Sequence, residues 1–560
     1  MGQKLHPLRE AVRSSWWATR DAFRVFPLLT ASAWLACLVM MSIPSLQVWS
    51  VRWAGGQLTL DSHRSRLFIC LVIAASATLL GLASSLSSSI NRILQMDLRA
   101  HYGAKFSATV DHLTPAQTLD NSFMSKVRAT REAIPFNVAW QATSTITVVS
   151  SIIAMILLGA SLWSINPWAA ILIIAALLPD LLLYSKLAHV ENDVWQKAGT
   201  VTRRIDYLEQ LQDFTPSSTE MAANPGSFGI PAELNHQHSR YAQLWNRVPR
   251  ASIRLTFTAN IAVFALMFGA LFIVLQSDST VNDVVAAMLG MLSGLAVTRN
   301  VGSAFGELMA SVPLIKAYKD LIGLLTKPRD GEVIAGPVGI EVSHGSFTYP
   351  TGTGAALQDI NLSIEPGSVV AFLGENGCGK TTLVKLLAGL LEPDTGTVTM
   401  HGPHAQSSAT SDRQASTSMV FQEFTKLELT VRDFVDPAGK ESDDAIRDAL
   451  TRARAWDFVQ QLPAGINTQL GPQWDGSGLS GGQWQRLALA RTFLSGAPIW
   501  ILDEPTAAVD AKAEAAIYED VLRQRPAGTT VIIITHRPQT LTDVDAVVHL
   551  ENGQIINTVS

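Results

Sequence analysis

The amino-terminal half of the chain alternates long charge-free apolar runs with basic polar stretches, whereas beyond residue 339 the apolar runs shorten and glycines separate them. A helix that crosses a bilayer needs about 20 apolar residues. Residues 25–51 and 67–90 carry no charge, and each run predicts one such helix. Residues 133–179 are charge-free over a length that suits two, with Ser164, Ile165, Asn166 and Pro167 supplying the turn between them. Residues 255–277 predict a fifth crossing, and the run from Val284 a sixth, interrupted by Arg299. Six crossings leave both ends of this half on one side of the membrane.

Lysine and arginine decide which side. Lys4, Arg9, Arg13, Arg20 and Arg24 precede the first run, and residues 92–131 and 186–254 are long and basic. The turn at Ser164 has no charge, and residues 276–283 carry only Asp278 and Asp283. The basic segments therefore belong in the cytosol, with Arg52, Arg64 and Arg66 in the first outer loop as exceptions. Residues 94–132 and 186–254 are too long for simple connections. Their composition predicts cytosolic helices broken at Pro115, Pro216 and Pro225. Before the first crossing, Trp16, Trp17, Phe23 and Phe26 interleave with Arg9, Arg13, Arg20 and Arg24. The pattern suits a helix lying in the interface, with rings at the headgroups and arginines toward water. An ordinary flanking segment is the alternative.

Two charges interrupt the crossings. Arg299 stands 16 residues past Asp283, about 24 Å along a helix, and Asp180 is similarly deep. Both approach the inner edge of a core about 30 Å thick. They are expected to snorkel or to line a cytosolic vestibule, with substrate contact as the alternative. Serines at 84–89 and the polar positions Gln141, Thr143, Ser144, Thr147, Ser150 and Ser151 fit either a hydrated path or close helix packing.

Composition agrees with a membrane protein of several domains: 560 residues, 48% hydrophobic, 16% charged and a mean hydropathy of +0.21. A net charge of -5 without a basic stripe excludes a nucleic-acid partner. Cys37, Cys70 and Cys378 predict no disulfide framework. The first apolar run is long enough to stay in the membrane, so no removable signal peptide is expected.

The carboxyl-terminal half carries the chemistry. Gly374, Glu375, Asn376, Gly377, Cys378, Gly379, Lys380 and Thr381 follow a strand-like run and open a helix-like one containing Thr382. That strand, loop and helix order is the context a phosphate-binding loop requires. Glycines let backbone N–H groups turn toward phosphate oxygens, and the helix start adds its positive end. Further on come Leu479, Ser480, Gly481, Gly482 and Gln483, and an apolar run that ends in Asp503 and Glu504. In this order these motifs resemble the nucleotide-binding domain of the ATP-binding-cassette (ABC) transporter family, over about 339–560.

The resemblance implies roles for individual residues. Lys380 would reach the β and γ phosphates of ATP. Thr381, Gln422 and Asp503 would serve Mg2+. Glu504 would act as general base and His536 as the switch contacting the γ-phosphate. Tyr349 would stack on adenine, with Phe347 as the alternative, and Asp510 completes a D-loop pattern. Ser480, Gly481, Gly482 and Gln483 would contact nucleotide held by the opposite subunit. Cys378 is a small filler compatible with the family. The segment 471–478 lacks the glutamate common in exporters of this family, and Asp475 is the candidate substitute.

The fold class implied is a multidomain membrane protein. An interfacial segment at 1–26 precedes an all-α, six-helix exporter-type transmembrane domain at 27–325. A linker at 326–337 leads to an α/β P-loop cassette at 338–560. Short coupling helices are expected near 114–125 and 215–226. One cassette makes the chain a half-transporter that needs a second subunit. A homodimer is the simplest reading and a heterodimer with a degenerate partner the alternative. The expected activity is ATP-hydrolysis-driven export, by alternating access, of an amphipathic drug, lipid, peptide or natural product. The Gly481, Gly482, Gln483, Trp484, Gln485 form of the signature resembles a bacterial subgroup associated with peptide export. Alternatives are a siderophore importer built on the exporter fold, and an ATP-dependent regulatory or sensing subunit. The expected location is the bacterial plasma membrane, among lipids, with both termini cytosolic.

Overall fold

The structure is a computed structural model describing residues 6–57, 63–111, 113, 115–213, 215–224, 229–277, 280–325, 331–350, 352, 354–422, 424–503, 519, 521–535 and 544–559. The chain divides into two compact units, Met1–Asp111 with Ser125–Thr326, and His112–Met124 with Lys327–Ser560.

Up to residue 325 the described secondary structure is helical. It runs α1 (His6–Val25), α2 (Pro27–Gln57), α3 (His63–Val110), α4 (Pro115–Leu119) and α5 (Asn121–Ala133), then a π-helical turn at Ile134–Val138. It continues through α6 (Gln141–Trp163), α7 (Pro167–Ala175), α8 (Leu177–Asp213), α9 (Thr215–Ala223), α10 (Ile230–Trp245), α11 (Arg247–Gln276) and α12 (Val281–Leu325). Among the described residues five stretches are long and apolar enough to cross a membrane: Pro27–Trp53, Ser122–Trp163, Pro167–Trp195, Ile230–Gln276 and Asp283–Gly323. The charge-free run 67–90, expected as the second crossing, falls inside α3, a helix of 48 residues.

Local chemistry sets the breaks. At the turn after α6, Asn166 Oδ1 accepts from the N–H groups of Trp168 (3.0 Å) and Ala169 (3.3 Å), and Pro167 takes the first helical position. Pro179 has no N–H to offer the Ala175 carbonyl, and α7 stops at Ala175 before α8 resumes at Leu177. Short helices, α4 and α9, occupy the two long polar stretches. Ahead of α5, Asp120 Oδ1 accepts from the Ser122 and Phe123 N–H groups.

One of the three arginines that depart from the charge rule, Arg52, has a partner. Arg52 Nε lies 3.1 Å from Asp283 Oδ1, and its Nη1 donates to the Ser164 hydroxyl. One guanidinium thus joins α2, the α6–α7 turn and the start of α12. In α1, Trp16 is exposed, but Trp17 stacks on Tyr102 of α3 at 5.9 Å and lies 6.2 Å from Tyr318 of α12. Its ring is therefore spent on the helix bundle rather than on the headgroups alone.

A ladder of small residues explains how α12 packs. Gly290, Gly294, Thr298, Gly302 and Gly306 follow at four-residue intervals. Four residues advance a helix by about 400°, so the ladder drifts about 40° per step and turns by about 120° from Gly290 to Gly302. The partners change accordingly. A Cβ at Gly290 would meet Val48 at 2.8 Å and Leu162 at 3.3 Å, and one at Gly294 would meet Leu158 at 2.9 Å. A Cβ at Gly302 would meet the Tyr184 ring at 2.6 Å, and one at Gly306 the Tyr184 Cβ at 3.0 Å and carbonyl at 3.3 Å. The upper half of the ladder serves α2 and α6; the lower half lets α8 approach. Gly302→Leu is expected to lose about 1–3 kcal/mol through overpacking. Its thermal unfolding in detergent should fall below that of the wild type and of Gly323→Ala, whose Cβ meets nothing within 4 Å. Melting together with the wild type would refute this packing.

The carboxyl-terminal unit is α/β. Its elements run β1 (Gly339–Phe347), β2 (Leu357–Ile364), β3 (Val369–Leu373), α13 (Lys380–Leu387), β4 (Thr395–His401), β5 (Gln406–Ser407), α14 (Thr410–Ala415) and β6 (Thr417–Val420). They continue through α15 (Val431–Val435), α16 (Asp443–Arg452), α17 (Trp456–Val459), α18 (Gly481–Leu494), β7 (Ile499–Asp503), β8 (Thr530–Ile534), β9 (Ala546–Glu551) and β10 (Gln554–Val559). A four-stranded sheet has the order β2-β1-β4-β5 and a six-stranded sheet the order β10-β9-β3-β8-β7-β6. Successive residues of the six-stranded sheet alternate between two cores. Val370, Phe372, Ile501, Ile532 and Ile534 join α13 and the smaller sheet. Val369, Trp500, Leu502, Val531 and Ile533 join α15, α16 and α18. Each face of a sheet buried on both sides reads as a continuous apolar run, which is why β3, β7 and β8 lack alternation.

Candidate functional site

Parallel pairing brings the ends of the strands that precede the predicted residues to one edge. Phe372 of β3 pairs with Ile534 of β8, Ile534 with Asp503 of β7, and Leu502 with Val420 of β6. The carboxyl ends of four neighbouring strands are therefore level. They lead into Gly374, toward His536, into Glu504 and toward Gln422. Ligands of open α/β sheets bind at such an edge. Glu504, Asp510 and His536 themselves lie outside the described residues.

The loop from Gly374 to Gly379 fits a phosphate chain. Gly374 has φ 150°, and a Cβ there would stand 2.3 Å from the Leu550 carbonyl oxygen. Gly377 has φ 83° with open space where a Cβ would be, so the backbone is free to be approached from that side. Gly379 caps α13, which begins at Lys380. Lys380 Nζ reaches back over the loop and donates to the Gly374 (2.7 Å) and Glu375 (2.9 Å) carbonyls. Its ammonium is thereby centred above the loop. Cys378 is buried, its carbonyl accepts from Gly553 N–H at 2.9 Å, and it fills the base of the loop. The Thr381 hydroxyl donates to Asp503 Oδ2 at 3.2 Å. A hydroxyl and a carboxylate side by side are the oxygen donors a hard cation takes beside a triphosphate.

Tyr349 lies partly exposed, its hydroxyl 3.2 Å from Thr382 Oγ1. Phe347, 6% exposed, belongs to the core and meets Tyr349 edge-on at 5.0 Å. Of the two aromatics, Tyr349 alone is placed to offer a face. Gln422 is exposed, two residues past β6.

The Ser480 motif is built differently. Ser480 caps α18: its hydroxyl accepts from Gln483 N–H at 3.3 Å, while Gln483 Oε1 accepts from Ser480 N–H at 2.8 Å. This reciprocal pair fixes the helix start, and added Cβ atoms at Gly481 and Gly482 would meet nothing within 4 Å. The side chain of Gln483 is spent on its own helix, so the open surface is that of the two glycines and Ser480. Helices α13 and α18 pack on opposite faces of the six-stranded sheet. The phosphate loop and the Ser480 motif therefore belong to different layers of this chain. Burial pushes the Arg491 guanidinium of α18 down from its ordinary pKa, and it lies over the Phe434 ring at 5.1 Å. In the segment 471–478, Asp475 adopts φ 56° and is exposed. The carboxylate that ties the segment down is Glu428, which accepts from Gln473 and lies against Gly471. Sequence reasoning missed Glu428 because it sits more than forty residues away.

In the membrane unit, Asp180 is buried at 3% exposure against α12. Arg299 is exposed and donates to Asn260 Oδ1 of α11 at 3.1 Å.

Known proteins carry the same arrangement. Residues 357–507 match the family described as ABC transporter. The mycobactin import ATP-binding/permease protein IrtB of Mycobacterium tuberculosis is 30% identical over 420 residues, 72% of this chain and 70% of that protein. An ATP-dependent lipid A-core flippase of Thiobacillus denitrificans is 29% identical over 514 residues, 88% of this chain and 85% of that protein. A solved structure of a bacterial Atm1-family ABC exporter with ATP bound superposes with a TM-score of 0.79 at 19% identity, over 96% of each chain. The chain belongs to the ABC transporter family, as a multi-pass membrane half-transporter of the exporter type that binds ATP and couples its hydrolysis to transport.

Proposed function

We propose that two copies of this chain form the working transporter and export an amphipathic molecule from the cytosol or inner leaflet of a bacterial plasma membrane. Both termini would be cytosolic. The observation that carries the reading is the separation of the phosphate loop and the Ser480 motif onto opposite faces of one sheet. An intact site then needs the loop of one copy and the Ser480 motif of the other. Lys380 and the loop N–H groups would hold the phosphates, Tyr349 the adenine, and Thr381 with Asp503 a magnesium ion. Magnesium supplies charge neutralisation on the phosphate oxygens. Glu504 would orient and deprotonate the attacking water, with His536 and Gln422 closing the site around the γ-phosphate. Asp510 would shape the contact between copies. His112–Met124, which carries α4 and groups with the cassette unit, would transmit closure to the helices, as would α9.

The relative described as a mycobactin importer favours a second reading, uptake on the same fold. Purified chain alone in lipid nanodiscs is expected to hydrolyse ATP. In proteoliposomes with outward-facing cassettes, ATP should drive amphipathic cargo into the lumen. Hydrolysis with cargo moving out of the lumen would establish import. No hydrolysis by the chain alone would sink the homodimer and point to a heterodimer, and hydrolysis without flux of any cargo would point to a regulatory or sensing subunit.

A further inference from the structure

The membrane unit contains two adjoining cavities, of about 380 and 350 Å³, that share Trp140, Ser144, Ser303 and Glu307 in their walls. The larger is formed by the π-helical turn before α6, by α6 itself, and by one face each of α8 and α12. A π-helical turn is rare and frequently marks a functional site. Here it sets Phe136 in the cavity wall just before Trp140, whose ring lies 6.4 Å away, edge-on.

The charge of these walls is one-sided. Glu191 of α8 and Glu307 of α12 both line the larger cavity, Glu307 lines the smaller as well, and among the described residues no lysine, arginine or histidine lines either. Among the described residues neither glutamate is in an ion pair. Glu307 Oε2 accepts from the Ser144 hydroxyl at 2.8 Å, which orients it and leaves its charge uncompensated. Gln141, 1% exposed, is spent on structure: it donates to Ser15 of α1 at 3.2 Å and accepts from Ser311 of α12. The polar groups of the wall therefore divide. Gln141 and Ser311 fasten helices together, and the two carboxylates remain for a ligand.

Depth supports the same assignment. Glu191 stands 24 residues past Pro167 and Glu307 24 residues past Asp283, in each case about 36 Å along the chain at helical rise. Both carboxylates thus sit just beyond a hydrocarbon core about 30 Å thick, at one level, where a molecule leaving the inner leaflet first meets water. Trp195 and Tyr184 of α8 share that wall with Trp140. Aromatic faces beside carboxylates attract a cation twice, through the ring quadrupole and through charge.

We infer that this cavity selects amphipathic organic cations, an apolar aromatic body with an amine or onium centre, and that Glu307 and Glu191 read the positive charge. This rests on the reading of the membrane unit as the cargo path and names the cargo's chemical class. The probe is tetraphenylphosphonium beside tetraphenylborate, an anion of nearly the same shape. Their binding to the full chain in nanodiscs of neutral lipid would be read by quenching of tryptophan fluorescence. The cation should bind at least tenfold more tightly than the anion. Glu307→Gln keeps an oxygen for the Ser144 hydroxyl, so the wall keeps its shape, yet the preference should fall about tenfold. Glu191→Gln should act in the same direction, and Glu307→Asp should retain most of the preference. Asp193→Asn, an exposed partner of Lys197 on α8, serves as the charge control and should leave the preference as in the wild type. Equal binding of both ions, preference for the anion, or a preference untouched by both glutamine variants would overturn the proposal. Cation-selective binding without ATP-driven uptake into proteoliposomes would uphold the charge assignment and remove the transport reading beneath it. Binding of neither ion would end both.

Discussion

Replacing Glu504 by glutamine is expected to lower steady-state ATP hydrolysis by about 10²–10⁴-fold, the usual weight of a general base. Nucleotide binding should survive, because the contacts proposed to hold the phosphates come from elsewhere. Lys380 and the backbone of Gly374–Gly379 lie on the β3 side, and Thr381 with Asp503 forms the oxygen pair. Asp503 closes β7, and the next residue along the chain is Glu504. The strand that precedes the acid therefore ends at the edge where the phosphate loop begins. A carboxamide there keeps size and polarity and loses only the capacity to take a proton. The two measurements are phosphate release and equilibrium binding of a fluorescent ATP analogue. Loss of binding in step with loss of turnover would mean that Glu504 holds nucleotide or structure. Hydrolysis within a factor of a few of the wild type would assign the base elsewhere. The same variant should accumulate an ATP-bound dimer of cassettes, visible as compaction on addition of ATP.

The second large effect concerns sites shared between copies. Lys380→Ala alone and Ser480→Arg alone are each expected to abolish measurable hydrolysis. The first removes the ammonium over the phosphates. The second places bulk and positive charge at the open start of α18, where the reciprocal Ser480–Gln483 pair holds the helix end. Co-expressed, the two variants should recover activity. Random pairing makes half of the dimers mixed, and in a two-fold interface each mixed dimer retains one site with neither lesion, giving about a quarter of wild-type turnover. No recovery, with mixed dimers proven by a two-tag pull-down, would mean that the two motifs act within one chain or that both sites must fire together. Activity of Ser480→Arg alone would remove the motif from catalysis.

The strand edge proposed to hold nucleotide left the plainest marks in the sequence because its determinants are local. A glycine that must take φ 150°, a lysine at a helix start and an acid at the end of an apolar run leave marks within a few residues of one another. The six apolar runs were legible for the same reason, since bilayer thickness imposes a length. Long-range features left weaker marks. Glu191 and Glu307 read as ordinary charges on the polar extensions of long helices, and only the fold brings them to a common wall. Arg52 looked like an exception to the charge rule until Asp283 was found beside it, more than two hundred residues away. Trp17 fitted a membrane surface by composition, yet the stack on Tyr102 claims it. The glycine ladder of α12 was present in the sequence at regular spacing, but its change of partner follows from a helical drift that a list of small residues does not display.

That ladder and the hydrogen bonds beside it give α12 two unlike seams. Toward α6 it is stitched, by Ser144 to Glu307 and by Gln141 to Ser311, so displacement there breaks side-chain hydrogen bonds. Toward α8 it presents Gly302 and Gly306 to the flank of Tyr184, with buried Asp180 close to Gly302. The two seams therefore differ in kind, the one fastened by hydrogen bonds between side chains and the other closed by near approach of backbones. Since the cavity wall is made from all three helices, one side of it depends on hydrogen bonds and the other on positions that only glycine can fill.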